Sequence, residues 1–123
     1  MTVEAVKEFV KAYSELKARR DVIDKIQEYS HNKDNNLDKE YSLLSIKIQI
    51  IESALKILSE DEKQIVLLHL LDNVKWSEVK SLYEQQVGME LNYSERTFFR
   101  LQKNALKKIE NFIINSHFEQ YID

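Results

Sequence analysis

The residues with the clearest chemistry lie near the C-terminus, where cationic side chains recur at helical spacing. At about 100° of rotation per residue, one helix face carries four cations and one aromatic side chain: Arg96, Phe99, Arg100, Lys103 and Lys107. An arginine guanidinium can hold guanine O6 and N7 with two hydrogen bonds, whereas a lysine ammonium suits phosphate. A basic helix face often has no ligand and is only solvated. These residues alone therefore fit either a nucleic-acid-binding face or an ordinary solvated face.

This basic stretch contrasts with the composition of the whole chain. Between Ser94 and Glu110, five cationic and two anionic side chains give a local net charge of +3, whereas the 123 residues carry a formal net charge of −3. An acidic total argues against a protein that coats nucleic acid, but it is compatible with one locally basic face.

Composition also restricts the fold and the chemistry. With 1 glycine, 0 prolines and 0 cysteines, the chain lacks the residues that β-turns repeatedly need, and we expect an all-α fold. The absence of cysteine excludes disulfides, iron–sulfur clusters and thiolate zinc sites.

The sequence has no catalytic-triad order, glycine-rich phosphate loop or metal-ligand spacing, so we expect no enzyme, no cofactor and no metal. No apolar run is long enough for a membrane span, which predicts a cytoplasmic protein without membrane contact.

The N-terminal half predicts a helical hairpin. Apolar positions three and four residues apart indicate one helix over 2–29 with Thr2 as its N-cap, followed by a polar linker over 30–36. A second helix over 37–58 has an unbroken heptad seam. A second apolar side of this helix is formed by three isoleucines: Ile46, Ile50 and Ile57. That second side must be covered, either inside a helical bundle or at a homodimer interface.

The C-terminal half begins with two helices that have recognisable boundary signals. Ser59 and Glu62 form the pattern of a capping box, and Asn73 can end that helix in the left-handed conformation. A short helix over 76–86 follows, and Gly88 closes it.

The last helix is expected over 94–116, with Ser94 as its N-cap. Tyr93 can pack on Phe98 across the first turn as a hydrophobic staple. The core stripe of this helix lies opposite the basic stripe: Phe98, Leu101, Ala105, Ile109 and Phe112.

A short helix, a turn and a second helix with a basic outer face match the helix-turn-helix arrangement, in which the second helix enters the major groove of DNA. The expected DNA contacts are then divided between base edges from Arg96 and Arg100, phosphates from Ser94 and Thr97, and the backbone from Lys103 and Lys107. Phe99 is expected either to touch thymine methyl groups or to pack on Tyr93 or a partner chain.

Four segments carry a resemblance to known families: 58–66 (LSEDEKQIV), 76–79 (WSEV), 94–100 (SERTFFR) and 105–109 (ALKKI). They resemble region four of bacterial sigma factors and, more closely, the small phage and prophage transcriptional regulators of the ArpU and RinA type. The resemblance implies a helix-turn-helix that reads double-stranded promoter DNA and acts on phage late or packaging genes, with RNA polymerase as a possible partner.

The predicted organisation has about five helices. An N-terminal helical pair over 1–58 serves packing, dimerisation or polymerase contact, a helix-turn-helix domain covers 59–116, and a C-terminal tail covers 117–123. The leading expectation is a sequence-specific DNA-binding transcriptional regulator. The alternative is a protein-interaction module of the same fold that binds RNA polymerase or another regulator without reading DNA.

Overall fold

A computed structural model describes residues 1–30, 35–88 and 93–122, and within these ranges the chain is all-α, without a strand. The helices are α1 (Val3–Lys11), α2 (Tyr13–Tyr29), α3 (Asn35–Lys56), α4 (Glu60–Val66), α5 (Trp76–Val87) and α6 (Glu95–Asn115). A π-helical turn (Leu67–Leu71) continues α4, and a 3-10 turn (Glu119–Tyr121) follows α6. The all-α prediction is confirmed, with about six helices rather than five.

The additional helix arises because the predicted helix over 2–29 divides at Ala12, whose ψ of −4° ends α1. The expected N-cap is present, since the Thr2 hydroxyl accepts from the Ala5 amide at 3.1 Å. The two halves have different partners: α1 packs on α6 and the π-helical turn, whereas α2 packs on α3. The helical hydrogen-bond pattern is therefore interrupted at Ala12, where the packing partners of the chain change.

Helices α2 and α3 form the predicted hairpin. Arg19 donates to Glu40 across the pair at 2.9 Å. Most of the predicted linker over 30–36 lies outside the described residues. The second apolar side of α3 is only partly covered, because Ile50 is buried whereas Ile46 and Ile57 are exposed.

The C-terminal residues pack against the helices. Phe118 meets the edge of the Phe112 ring, with centroids 6.2 Å apart, and Tyr121 lies beyond it at 6.4 Å from Phe118. Both Phe118 and Tyr121 are partly buried against the same core as Ile50.

Two apolar cores hold these elements together. The small core joins α4, the π-helical turn, α5 and α6 through Ile65, Leu68, Val79, Tyr83 and Phe98. The large core joins α1, α2, α3, the end of α4, the π-helical turn and α6, and its most deeply buried members include Val6, Val10, Ile48, Ile51, Ala54, Val66, Ala105, Ile109 and Ile113. The large core thus draws on residues from both sides of the expected boundary at 58/59, which stays a prediction.

Local signals mark the helix ends as expected. Ser59 and Glu62 form the capping box reciprocally, with the Glu62 amide donating to the Ser59 hydroxyl at 3.3 Å and the Ser59 amide donating to the Glu62 carboxylate at 2.9 Å. Asn73 and Gly88 take positive φ values of 56° and 70°. Among the described residues, no helix has the length and apolar character needed to cross a membrane.

Candidate nucleic-acid interface

The start of α6 is fixed by local contacts. The Ser94 hydroxyl accepts from the Thr97 amide at 3.4 Å, which confirms the predicted N-cap. Tyr93 and Phe98 meet edge to face, with ring centroids 5.9 Å apart, as the hydrophobic staple requires. The turn residues 89–92 between α5 and α6 lie outside the described residues.

One face of α6 is buried and the other is exposed. Of the predicted core stripe, Phe98, Ala105 and Ile109 are buried, while Leu101 and Phe112 are half-buried. Three further residues of this face are also buried: Gln102, Leu106 and Ile113. Because this face packs into both cores, the opposite face of α6 points to solvent.

The exposed face carries the predicted cations. We call this set the basic face: Arg96, Arg100, Lys103 and Lys107, all of which are exposed. Phe99 lies beside it and is 46% exposed. Ser94 is also exposed at the helix start, and Thr97 is half-buried. The structure thus brings the predicted site residues together along one helix.

Lys108 differs from the basic face because it is bound to the protein itself. Its ammonium donates to Glu62 at 2.7 Å, and Glu62 is only 4% exposed. Burial by itself would raise the pKa of Glu62, but the hydrogen bonds from Lys108 and Ser59 outweigh burial and lower that pKa. One of the five cations counted between 94 and 110 therefore fastens α6 to α4 instead of facing a ligand.

A second set of contacts supports Phe99 from below. Its ring meets Trp76 edge to face with centroids 4.7 Å apart, and Trp76 stacks on His69 at 3.7 Å. The Nδ1 of His69 lies 2.6 Å from Oε1 of Gln102, and since an amide oxygen only accepts, Nδ1 is the donor. We call these four residues the Trp76 cluster. Phe99 thus packs on Trp76, whereas the expectation from the sequence was packing on Tyr93 or on a partner chain.

Two lysines that the sequence did not assign to the site lie close enough to His69 to affect its pKa. Burial lowers the pKa of His69, the hydrogen bond with Gln102 opposes that effect, and the ammonium groups of Lys7 and Lys11 lower it further. Because α1 packs on the π-helical turn and α6, it brings these two lysines near His69. In the sequence, two lysines one turn apart look like any solvated helix face, and only the packing of α1 places them here.

Tyr83 fixes α5 against α4. Its hydroxyl donates to the Asp61 carboxylate, and the ring is almost fully buried in the small core. Burial and the Asp61 carboxylate raise the pKa of Tyr83, so its hydroxyl keeps its proton and remains a donor. Asp61 thereby has a structural partner as well as its place in the acidic first turn of α4.

The described residues contain no group of three or more His, Asp or Glu side chains placed to hold a metal ion. Comparison of the chain with protein-family models, curated proteins and solved structures found no match. The resemblance to sigma region four and to phage regulators therefore stays a prediction from the sequence motifs.

Proposed function

We propose that this protein is a cytoplasmic, sequence-specific DNA-binding transcriptional regulator of phage or prophage late genes, with α6 as its recognition helix. The observation that carries the proposal is the division of α6, which buries one face in both cores and exposes four cations on the other. A helix held outward by packing and lined with arginine and lysine suits the major groove of duplex DNA.

The donor geometry divides the work within the site. Arg96 and Arg100 lie in the first half of α6 and provide planar donors for guanine edges. Lys103 and Lys107 continue the same face and suit successive phosphates. Ser94 and Thr97, with the free amides of the helix start, suit one further phosphate.

A helix-turn-helix gains affinity and symmetry by reading two half-sites as a dimer. We propose α2 as the contact for a second copy, because Val22, Ile26 and Tyr29 are exposed at spacings of four and three. Asp21 and Lys25 flank this stripe, and an antiparallel copy would bring Asp21 to the partner subunit's Lys25. RNA polymerase is the competing occupant of the same surface.

The experiment is a fluorescence-anisotropy titration against DNA from upstream of the protein's own gene and against a scrambled duplex. We expect tighter binding to the upstream DNA, weakening by about two orders of magnitude from 50 to 200 mM salt if about four phosphates are contacted. Arg96→Ala with Arg100→Ala should weaken binding at least about tenfold and reduce the preference for the upstream sequence.

The matched control is Lys17→Ala on α2 with Lys39→Ala on α3, which changes the net charge by the same amount away from α6 and outside the proposed dimer contact. This control should keep nearly full affinity. Unchanged binding in the double-arginine variant would contradict the proposal.

The second candidate is a protein-interaction module that binds RNA polymerase or another regulator. The half-exposed Phe99 and the net charge of −3 favour it. Absence of duplex binding at both salt concentrations, together with recovery of polymerase in a pull-down that Phe99→Ala abolishes, would support this candidate over the first.

A further inference from the structure

The Trp76 cluster consists of four side chains from three elements, joined by three successive contacts. His69 belongs to the π-helical turn, Trp76 begins α5, and Phe99 and Gln102 lie one turn apart on α6. The series runs from Phe99 to Trp76 at 4.7 Å, from Trp76 to His69 at 3.7 Å, and from His69 to Gln102 at 2.6 Å. The two ends of this series, Phe99 and Gln102, are both residues of α6.

This arrangement supports Phe99 on one side. Trp76 packs edge to face with the Phe99 ring, and the buried Gln102 is hydrogen-bonded to His69, on which Trp76 stacks. The other side of Phe99 remains open, with 46% of the residue exposed. A single exposed phenylalanine is common on proteins, but one supported by this series of contacts presents a defined apolar surface.

The position of this surface beside the basic face indicates what it can contact. Phe99 follows Arg96 by three residues and directly precedes Arg100, the two residues expected at base edges. In the major groove, the only apolar group among the base edges is the C5 methyl of thymine, and phenylalanine is one of the side chains that contact it. An apolar ring beside arginines that are proposed to contact guanine therefore suits a thymine near that guanine.

Building on the DNA-binding function proposed above, we propose that Phe99 reads the C5 methyl group of one thymine in the site bound by α6. Trp76, His69 and Gln102 are positioning residues that hold the Phe99 ring toward that methyl. The protein then distinguishes thymine from the other pyrimidine by an apolar contact that the arginines cannot make.

The test begins with selection of duplexes by the wild-type protein from a random 20-base-pair DNA pool. Each thymine of the selected duplex is then replaced singly by deoxyuracil, which removes only the C5 methyl and keeps base pairing. For the wild-type protein we expect one position at which this replacement weakens binding about threefold to fivefold, the effect of one buried methyl.

Phe99→Ala should bind the thymine and deoxyuracil duplexes equally at that position, while Phe99→Leu, which keeps apolar contact and packing on Trp76, should retain part of the difference. Trp76→Ala should reduce the thymine-to-deoxyuracil ratio as well, which a general loss of stability would not do. The matched control is Leu43→Ala, because Leu43 is an exposed apolar residue of α3 outside the Trp76 cluster and the proposed dimer contact, and its variant should keep the wild-type ratio.

Two results would overturn the inference. If no thymine is sensitive to loss of its methyl, or if Phe99→Ala keeps the sensitivity, Phe99 does not read that group, although enrichment of a duplex still supports the proposed function. If the wild-type protein enriches no duplex at all, the proposed function fails and the inference fails with it.

Discussion

His69 is a partly buried imidazole held neutral by its surroundings. One face of its ring stacks on Trp76, its Nδ1 is bound to Gln102, and Lys7 and Lys11 on α1 oppose a further positive charge. Burial and the two lysines lower the pKa of His69 below its ordinary value in spite of the opposing hydrogen bond with Gln102, so that the neutral ring is the form that supports Trp76 and through it Phe99.

Acidification should therefore destabilise the protein through His69. Because its pKa is lowered on folding, the unfolded chain takes up a proton at a higher pH than the folded protein does. The contribution is fully present above the unfolded value of about 6.5 and is lost as the pH falls toward the lower folded value. Urea titrations followed by circular dichroism should show the free energy of unfolding falling between about pH 7 and pH 5.

The comparison variant is His69→Phe, which retains an aromatic ring against Trp76 but cannot be protonated. Its free energy of unfolding should fall less than that of the wild-type protein over the same interval, and the two pH profiles should run parallel above pH 7. Identical profiles throughout would contradict this role of His69.

Helix α6 is positioned by an ion pair with a buried carboxylate as well as by apolar packing. Lys108 and Lys107 are neighbours in the sequence, yet Lys108 is bound to the buried Glu62 at 2.7 Å and Lys107 belongs to the basic face. Helical rotation of about 100° between them is enough to separate a structural lysine from a ligand-facing one.

Substitution of these two lysines should affect different properties, stability for Lys108 and DNA binding for Lys107. Lys108→Met leaves the Glu62 carboxylate with only its capping contact, and because Lys108 is half exposed we expect a modest loss of about 1–2 kcal/mol in the free energy of unfolding. Lys107→Met should leave that free energy unchanged, but it should weaken duplex binding and reduce the salt slope by about 1. Urea denaturation and anisotropy titrations measure both, and equal effects of the two variants on DNA binding would contradict this division.

The helix boundaries show which parts of the fold the sequence can predict. Thr2, Ser59, Asn73, Gly88 and Ser94 act through hydrogen bonds or backbone preferences within one turn, so their residue types suffice. The break at Ala12 has no comparable local signal, because it follows from the different packing partners of α1 and α2.

The candidate site follows the same rule. The basic face depends on the period of a single helix and could be read from the sequence, whereas the Trp76 cluster needs side chains from three elements in contact. The π-helical turn adds a further difficulty, because the Asp72 amide donates to the Leu67 carbonyl five residues back, so that the turn containing His69 does not have the α-helical period. The residue pattern of this segment does not predict the π-helical turn.

At the scale of the whole molecule, α2 leaves an apolar stripe uncovered at the end of the hairpin distant from α6. Val22, Ile26 and Tyr29 are exposed, and Tyr29 is 81% exposed. This stripe, with Asp21 and Lys25 beside it, is the surface proposed above as the contact with a second copy.

Disruption of this stripe should produce monomers. We expect size-exclusion chromatography with light scattering to give a dimer mass for the wild-type protein and a monomer mass for Val22→Glu with Ile26→Glu. Leu43→Glu with Ile46→Glu is the matched control, since it places the same two charges at exposed apolar positions of α3. A monomeric wild-type protein would contradict dimerisation through α2 and leave the stripe to another partner.

Helix α6 belongs to both cores, since Phe98 near its start lies in the small core and Ile109 and Ile113 near its end lie in the large core. Production of the segment from Ser59 onward by itself would therefore bare the second half of the helix to water. Such a fragment should express poorly and precipitate unless detergent or the missing N-terminal residues are supplied in trans. Deletion mapping of this protein would then mistake loss of solubility for loss of a binding determinant.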